Sequence, residues 1–384
     1  MNLTLSQTLP NHESGFPAMA RRLSDQDKQF RIAFTLLEEA ITSKAFPACS
    51  TAITWRGELV ASKALGHFTY EPGSRAPTPD TIFDLASLTK IVATTSMAMI
   101  LYERGLLDLE ASLAAILPEF ADGSCEDAEL RRSVTPHMLL AHSSGLPAYE
   151  KLFVRCKTRD ELLQAAFRTP LASPPDERAL YSDIGFILLG ILLERVADES
   201  LDTFCQREIF GPLSMTRTTF NPARAWKEGI PPTADDHTFR HRVIQGEVQD
   251  ENASTLGGVA GHAGLFSAAE DLATFAQAIL GCGTPIFRPS TIEHFTRREI
   301  LPAGTSRALG WDTPSAPSQS GKYFSGRSIG HLGYTGTSLW LDPERQLSVT
   351  LLTNRTWPDC KNEAIKKVRP AFHDAVIEAL GIDS

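Results

Sequence analysis

Residues 83–102 read FDLASLTKIVATTSMAMILY, and nearly every residue after Lys90 is apolar or small. A helix without a polar face offers no surface to water, so this stretch predicts a helix buried inside the fold. Ser87 and Lys90 are three residues apart near its start, which places them on the same face. The sequence therefore predicts a Ser–Lys pair at the buried beginning of a helix.

Such a pair suits nucleophilic catalysis. The serine hydroxyl reacts poorly unless a nearby base removes its proton. Burial and neighbouring positive charge lower the pKa of a lysine from about 10.4, leaving a neutral amine that can act as this base. Backbone N–H groups at the helix start would stabilise a developing oxyanion. The alternative is a capped helix with a solvated lysine, because Ser-x-x-Lys also occurs by chance.

Two predicted hairpins lie far from this helix along the chain. Residues 49–66, CSTAITWRGELVASKALG, predict two strands joined at Arg56-Gly57. Residues 338–355, SLWLDPERQLSVTLLTNR, predict a second hairpin that turns at Asp342-Pro343-Glu344. An isolated hairpin is marginal in water, so the two are expected to pair in one antiparallel sheet.

Helical patterns surround these strands. One helix is expected from a Ser24 cap to about Ser43, and another closes the chain at about Lys361–Leu380. The middle of the chain predicts helices at Pro136–His142, Arg159–Phe167, Ile184–Ala197, Leu201–Ile209 and Ala268–Leu280.

The predicted fold class is α/β (α+β), with an antiparallel sheet flanked by terminal helices and an inserted all-helical domain. The sheet domain is expected at 24–103 and 291–384, and the mainly helical insertion at 104–290. Residues 1–23 are expected to form a flexible arm.

The composition of the 384 residues is that of an ordinary globular chain, with 42% hydrophobic and 22% charged residues. A net charge of −9 argues against nucleic acid as a partner. The sequence shows neither a signal peptide nor a membrane span, so a cytoplasmic location is expected. Because no CxxC pair occurs, we expect reduced thiols and no zinc site at the six cysteines, 49, 125, 156, 205, 282 and 360.

Two further segments add to the Ser–Lys pair. Residues 180–186, LYSDIGF, place Tyr181 and Asp183 before an apolar helix, and residues 330–337, GHLGYTGT, begin a strand. This three-part pattern resembles the serine β-lactamases and DD-peptidases. Over about 30–380 the chain resembles the class C β-lactamase-related family, which includes penicillin-binding proteins, family VIII-type esterases and peptidoglycan amidases.

Three other segments support the resemblance. Residues 139–147, LLAHSSGLP, and 264–272, GLFSAAEDL, are similar to recurring segments of that family. Residues 246–264, GEVQDENASTLGGVAGHAG, resemble a subgroup that includes muramoyl-alanine amidase-like and penicillin-binding protein 4B-like members.

The resemblance implies a role for each matching residue. Ser87 would form an acyl-enzyme while Lys90 and Tyr181 share the proton transfers, with cationic charge stabilising a Tyr181 phenolate. The backbone N–H groups of Ser87 and Tyr334 would form the oxyanion hole. Asp183, in place of the family's Asn, would hold Lys90 and the substrate amide.

The third motif and a glycine-rich loop supply the remaining candidates. His331 stands in place of the family's Lys, followed by Leu332 in place of Thr and then by Gly333. A histidine is only partly charged near neutral pH. The pocket for a substrate carboxylate is therefore weakened, and an ester or a different amide is favoured over a β-lactam. His262 could also reach the substrate.

Simpler structural roles stay open for these residues. Tyr181 could cover a helix start, His331 could end a strand, and Asp183 could be a helix N-cap. The glycines between 257 and 264 could form a plain flexible loop. No metal site is expected at residues 250–252, because consecutive residues do not face one way.

Two classes of function remain. The first is a serine hydrolase without cofactors, acting on an ester or a cell-wall-derived amide in a small molecule or peptide. The second is a non-catalytic module that binds peptidoglycan fragments; a weak β-lactamase is a further alternative. The G-x-S-x-G match at 326–330 would suit an α/β-hydrolase only with a strand before it and a helix after it, which the surrounding sequence does not predict. Oligomeric state stays open.

Overall fold

The computed structural model describes residues 19–122, 127–281 and 286–383. Its main sheet has six strands in the order β1-β3-β2-β11-β10-β9. A second sheet has the order β4-β8-β5, and β6 pairs with β7. The strands are β1 (Ala20–Arg21), β2 (Ala48–Trp55), β3 (Glu58–Gly66), β4 (Phe83–Asp84), β5 (Thr219–Phe220), β6 (Ala234–Asp236), β7 (Arg242–Ile244), β8 (Leu265–Ser267), β9 (Ile329–Leu332), β10 (Ser338–Asp342) and β11 (Leu347–Thr353).

The two predicted hairpins are confirmed, and they join in one sheet. β2 and β3 connect through Arg56 and Gly57, whose φ angles of 51° and 84° are those of a tight hairpin turn. β10 pairs antiparallel with β11, and β11 pairs antiparallel with β2. The sheet therefore unites strands from both ends of the chain, as the marginal stability of isolated hairpins requires.

The first strand lies within residues 1–23, where the sequence predicts a flexible arm. Residues 1–18 of that arm lie outside the described residues, but β1 pairs with β3 in parallel. The N–H of Arg22 donates to the Leu59 carbonyl at 2.8 Å, and Arg21 forms a two-pronged ion pair with Glu270. For residues 20–21 the prediction of a flexible arm is wrong, because sheet pairing and this ion pair fix them.

Helices cover both faces of the main sheet. The helices are α1 (Gln26–Gln29), α2 (Arg31–Thr42), α3 (Ser96–Glu103), α4 (Leu113–Ile116), α5 (Ala128–Arg131), α6 (Pro136–Leu140), α7 (Leu152–Arg155), α8 (Arg159–Phe167), α9 (Asp183–Ala197), α10 (Leu201–Cys205), α11 (Glu251–Thr255), α12 (Ala269–Ile279), α13 (Pro289–Thr296) and α14 (Ile365–Leu380). π-helical turns occupy Lys90–Thr95 and Gln206–Phe210, and 3₁₀ turns occupy Ala86–Leu88, Pro118–Ala121 and Arg224–Gly229.

The terminal helices α2 and α14 pack on each other and on one face of the sheet, as expected. On the opposite face, α12 packs against β2 and β11. Helices on both faces explain why β2 and β11 are buried along almost their whole length. Helix α12 lies within residues 104–290, which were expected to form the helical insertion, yet it contacts the main sheet. The division into domains therefore stays a prediction.

The Ser87 segment lies where sheet and helices meet. It begins with the 3₁₀ turn Ala86–Leu88, continues through the π-helical turn Lys90–Thr95, and ends in α3. All residues of Lys90–Thr95 are buried, and this turn packs on α9 and α10. The prediction of a buried helix is confirmed, and its start contacts β8 and β9.

Three further features concern the G-x-S-x-G match, the cysteines and the question of a membrane-spanning helix. Ser328 of the G-x-S-x-G match is fully buried, and strand β9 rather than a helix follows it, so it is not a nucleophile elbow. Cys49, Cys156, Cys205 and Cys360 are free thiols, while Cys125 and Cys282 lie outside the described residues. Within the described part of the chain, no helix is both long enough and apolar enough to cross a bilayer.

Candidate active site

The turn that carries Ser87 is held by a buried carboxylate. Asp84, at the end of β4, accepts hydrogen bonds from the N–H of Ala86 at 2.8 Å and of Gln249 at 2.6 Å. Burial raises the pKa of Asp84 to about 6. Ala86 has a φ of 48°, which is unusual for a residue with a side chain. The turn before Ser87 is therefore a constrained conformation that the surroundings impose.

Lys90 lies beneath Ser87 with no exposed surface. Its Nζ atom is 3.1 Å from Ser87 Oγ, 2.7 Å from Asp183 Oδ1 and 3.1 Å from the carbonyl oxygen of His262. Burial lowers the pKa of Lys90, while the charge and hydrogen bond of Asp183 oppose that shift. The alternative of a solvated lysine is wrong.

Tyr181 approaches Ser87 from the other side. Its hydroxyl donates a hydrogen bond to Ser87 Oγ at 2.8 Å, and its ring centre is 4.8 Å from Lys90 Nζ. Burial, and then the negative charge of Asp183, raise the pKa of Tyr181 well above 10. Tyr181 is therefore a neutral hydrogen-bond donor in this state, and the phenolate suggested by the resemblance is disfavoured.

Asp183 is not the helix N-cap. That position belongs to Ser182, whose hydroxyl accepts a hydrogen bond from the N–H of Gly185 at 3.0 Å. Asp183 is the first residue of α9, and its carboxylate contacts Lys90. The capping role suggested as an alternative for Asp183 is therefore filled by its neighbour.

The third motif lies at the end of β9, beside the Ser87 turn. Thr335 Oγ1 donates to the Asp84 carbonyl at 2.7 Å, and Thr337 Oγ1 donates to the Leu85 carbonyl at 2.9 Å. A methyl group on Gly333 would collide with the Leu85 carbonyl oxygen. Glycine at 333 thus permits the close approach of this segment to the turn that carries Ser87. Tyr334, the next residue, lines the same cavity as Ser87.

His331 is neutral rather than partly charged. Only 3% of its surface is exposed, and its Nδ1–H donates to the Leu332 carbonyl at 2.8 Å. Burial, together with the positive charges of Lys90 and Arg307, lowers the pKa of His331 to about 3. The expectation of a partial charge at neutral pH is wrong, because the folded environment excludes water from the ring.

His262 is held by Asp250. The Nε2 atom of His262 lies 2.8 Å from Asp250 Oδ1, and its carbonyl accepts from Lys90. Burial opposes ionisation of Asp250, but the charge and hydrogen bond of His262 keep the pKa of this carboxyl below its usual value. In the described residues, no cluster of His, Cys, Asp and Glu is arranged to hold a metal ion.

These residues surround one cavity of about 700 Å³. Of the predicted site residues, Ser87, Tyr181, Asp183, His262, His331, Gly333 and Tyr334 line it, and Lys90 lies behind Ser87. The structure thus brings together all the residues selected from the sequence. A cavity of this size lies within the usual range of pockets that bind small molecules.

The model of the β-lactamase family matches residues 33–369. The chain belongs to the β-lactamase family. It is 31% identical over 389 residues to the N-acetylmuramyl-L-alanine amidase of Bacillus subtilis (strain 168), covering 92% of this chain and 87% of that protein. It is also 31% identical over 343 residues to a putative D-alanyl-D-alanine carboxypeptidase of Escherichia coli (strain K12), covering 81% of this chain and 79% of the relative.

A solved structure shares the fold of this chain. EstCE1, a hydrolase with promiscuous acyltransferase activity, superimposes with a TM-score of 0.76 at 19% identity, over 92% of this chain and 100% of EstCE1. The β-lactamase and DD-peptidase fold predicted from the sequence is therefore confirmed, and this family member is a serine hydrolase.

Sequence reasoning missed two residues around the site. His142 accepts a hydrogen bond from the N–H of Ser182 and lies 4.8 Å from the Tyr181 ring, centre to centre. Burial lowers the pKa of His142 well below 6.5, so a neutral imidazole packs against the ring of Tyr181. Arg307 also lines the cavity, with its guanidinium carbon 5.6 Å from the centre of the Tyr181 ring. His142 falls in the quoted segment 139–147, whereas no motif marks Arg307.

Proposed function

We propose that this β-lactamase-family hydrolase cleaves an amide of a peptidoglycan-derived fragment through an acyl-enzyme on Ser87. The observation that carries the proposal is the convergence of two groups on one atom: Lys90 Nζ at 3.1 Å and Tyr181 Oη at 2.8 Å from Ser87 Oγ. A hydroxyl between a buried amine and a phenol is arranged for proton transfer in both directions.

Lys90 acts as the base in acylation. Burial favours its neutral amine, which takes the proton of Ser87 as Oγ attacks the substrate carbonyl carbon. The negative charge that develops on the carbonyl oxygen is stabilised by the backbone N–H groups of Ser87 and Tyr334. These two N–H groups belong to segments that hydrogen bonds from Thr335 and Thr337 hold together.

Tyr181 acts as the acid for the leaving group. Its phenol donates a proton to the departing amine nitrogen as the C–N bond breaks, and it recovers a proton from Lys90. The raised pKa of Tyr181 keeps this proton available at neutral pH. Water then attacks the acyl carbon of the Ser87 ester while Lys90 accepts one of its protons. The C–Oγ bond breaks as Lys90 returns that proton to Oγ, and the acid product leaves.

The proposed substrate class rests on the relatives. The Bacillus subtilis relative is named an N-acetylmuramyl-L-alanine amidase, and the Escherichia coli relative a putative D-alanyl-D-alanine carboxypeptidase. Both names describe cleavage of amide bonds in peptidoglycan components. Leu332 and the neutral His331 make the third motif a weak site for the carboxylate of a β-lactam, which favours the amidase reaction.

The test combines a covalent probe with a panel of substrates. A fluorophosphonate probe should label the wild-type protein and fail to label Ser87→Ala. Ser328→Ala, at the buried serine of the G-x-S-x-G match, is the matched control and should label normally. N-acetylmuramoyl-L-alanine, a D-Ala-D-Ala peptide, nitrocefin and a p-nitrophenyl ester are then compared for hydrolysis. Labelling of Ser87→Ala would reject Ser87 as the nucleophile, and no labelling of the wild type would favour a binding module.

A further inference from the structure

The peptide group between Gly333 and Tyr334 is bonded at one end and free at the other. Its carbonyl, that of Gly333, accepts hydrogen bonds from Arg369 Nη2 at 2.8 Å and from the N–H of Gly336 at 3.0 Å. Its N–H, that of Tyr334, donates to no group within the described residues, and Tyr334 lines the same cavity as Ser87. The free end is therefore the one that the proposed mechanism gives to the carbonyl oxygen of the substrate.

Arg369 reaches the Gly333 carbonyl from α14 and carries an unpaired charge. It is 5% exposed, its Nε atom has no hydrogen-bond partner, and no carboxylate of the described residues lies within ion-pair distance of it. Burial, and then the positive charge of Arg355, lower the pKa of Arg369 to about 9, so the guanidinium stays charged at neutral pH. A buried charge without a partner is costly. A neutral donor could fasten the same carbonyl at lower cost, so the charge of Arg369 points to a role beyond packing.

Arg355 holds the next peptide group, on the other side of Tyr334. Its Nε atom donates to the Tyr334 carbonyl at 2.7 Å, and its Nη1 atom donates to the carbonyls of Cys360 at 3.0 Å and Asn362 at 3.2 Å. Each of the two peptide groups that flank the Tyr334 Cα atom is thus bonded to a guanidinium. Rotation of the Tyr334 N–H would break a charge-assisted hydrogen bond, which is about twice as strong as a neutral one.

A cation at the carbonyl end of a peptide group also strengthens the donor at its N–H end. Hydrogen bonds that follow one another through a polarisable group reinforce each other, above all where water is excluded. The guanidinium of Arg369 draws electron density towards the Gly333 oxygen, which makes the Tyr334 N–H more positive. The gain is largest when the group that accepts from this N–H becomes negative, so it favours the transition state over the bound substrate.

We propose that Arg369 is a positioning residue of the oxyanion hole, acting on the Tyr334 N–H through the Gly333 carbonyl. This inference rests on the proposed acyl-enzyme function and deepens it, because it assigns the strength of the second oxyanion donor to a charge on α14. Arg369 needs no contact with the substrate for this role. Its effect is therefore expected with uncharged substrates.

Kinetics with an uncharged ester test the inference. Because p-nitrophenyl acetate carries no carboxylate, an ion pair between this substrate and Arg369 is excluded. Arg369→Gln and Arg369→Met should each lower the burst-phase acylation rate constant by about 10-fold, less than the roughly 10²–10³ of a lost oxyanion donor, with little change in the half-saturating concentration. Arg369→Lys keeps the charge and should retain most of the rate. Lys367→Gln removes a positive charge from an exposed position of α14 outside the cavity wall, so this matched control should react like the wild type.

Infrared difference spectra of the acyl-enzyme report the strength of the oxyanion hole itself. The stretching band of an isotope-labelled acetyl group on Ser87 lies at lower wavenumber when its carbonyl is more strongly polarised. Arg369→Gln and Arg369→Met should move this band to higher wavenumber, and Arg369→Lys should leave it close to the wild-type position. Arg369→Met serves if Arg369→Gln does not fold, because methionine leaves no buried polar side chain unpaired.

An unchanged acylation rate and band in Arg369→Met would overturn the inference. Equal losses in Arg369→Lys and Arg369→Met, or a loss confined to the half-saturating concentration, would also overturn it. The proposed function fails separately, when fluorophosphonate labelling does not depend on Ser87, so the two failures are distinguishable.

Discussion

The Nζ atom of Lys90 lies 2.7 Å from the Oδ1 atom of Asp183, although none of the lysine side chain is exposed. The two residues are 93 positions apart in the chain, and α9 brings the carboxylate to the amine. A carboxylate at this position stabilises the protonated amine, whereas the neutral amine is the form needed for catalysis. Asp183 therefore sets the pH at which Lys90 becomes a base.

Replacement of Asp183 by asparagine should move the pH profile to lower pH. The carboxylate raises the pKa of Lys90 against the effect of burial, so its removal lowers that pKa. The acidic limb of kcat/KM, which reports loss of the neutral amine, should move in the same direction. Asp160→Asn, at an exposed position in α8, is the control and should leave the limb unchanged. An upward movement would show that Asp183 does not act on the base.

Tyr181→Phe should separate amides from activated esters. Without the phenol, the poor amine leaving group lacks its acid, and kcat for amide cleavage should fall by about 10²–10⁴. A p-nitrophenyl ester should lose much less, because nitrophenolate leaves without protonation. Stopped-flow and product assays measure both rates, with the partly exposed Tyr102→Phe as the control. Equal losses on both substrates would contradict the role of Tyr181 as leaving-group acid.

Gly333→Ala should impair the oxyanion hole. The added methyl group would collide with the Leu85 carbonyl oxygen and push the backbone of Tyr334 away from Ser87. Loss of one oxyanion donor typically lowers kcat by about 10²–10³. Gly326→Ala is a matched control, since a methyl group there meets no atom within 4 Å. If kcat of Gly333→Ala is normal, Tyr334 does not supply the second N–H.

His331→Gln should change the pH dependence of stability. The pKa of His331 is about 3 in the folded state and near 6.5 when unfolded, so the unfolded chain binds the extra proton between these values. Stability of the wild type should therefore fall as pH drops from 6.5 towards 3, by up to roughly 1.4 kcal/mol per pH unit from this residue. Urea unfolding at several pH values should show a shallower dependence for the variant. The exposed His67→Gln is the control, and an unchanged slope in His331→Gln would mean that His331 is not buried neutral.

Much of the fold was predictable because its signals are local. The pair Arg56-Gly57 indicates a hairpin turn because it favours the backbone conformation of such a turn. The stretch after Lys90 indicates a buried helix because its composition is almost entirely apolar. The Tyr181 and Gly333 motifs could be recognised from the resemblance because each is a short segment that matches a motif of the family. Such signals do not depend on the rest of the chain.

Other features depend on tertiary packing and could not be predicted. The neutrality of His331 arises from burial and from the charges of Lys90 and Arg307, which come from distant segments. Arg307 enters the cavity through a loop without a motif, and α12 packs on β2 and β11, which come from opposite ends of the chain. The roles of the site residues, the division into domains and the cytoplasmic location stay predictions.

Trapping the acyl-enzyme tests the central claim most directly. The protein is incubated with p-nitrophenyl acetate, quenched in acid within the burst phase, digested and mapped by mass spectrometry. The account predicts one acetyl group on the peptide that contains Ser87, with no such adduct in Ser87→Ala. An acetyl group on another residue that forms at the same rate in Ser87→Ala would contradict it.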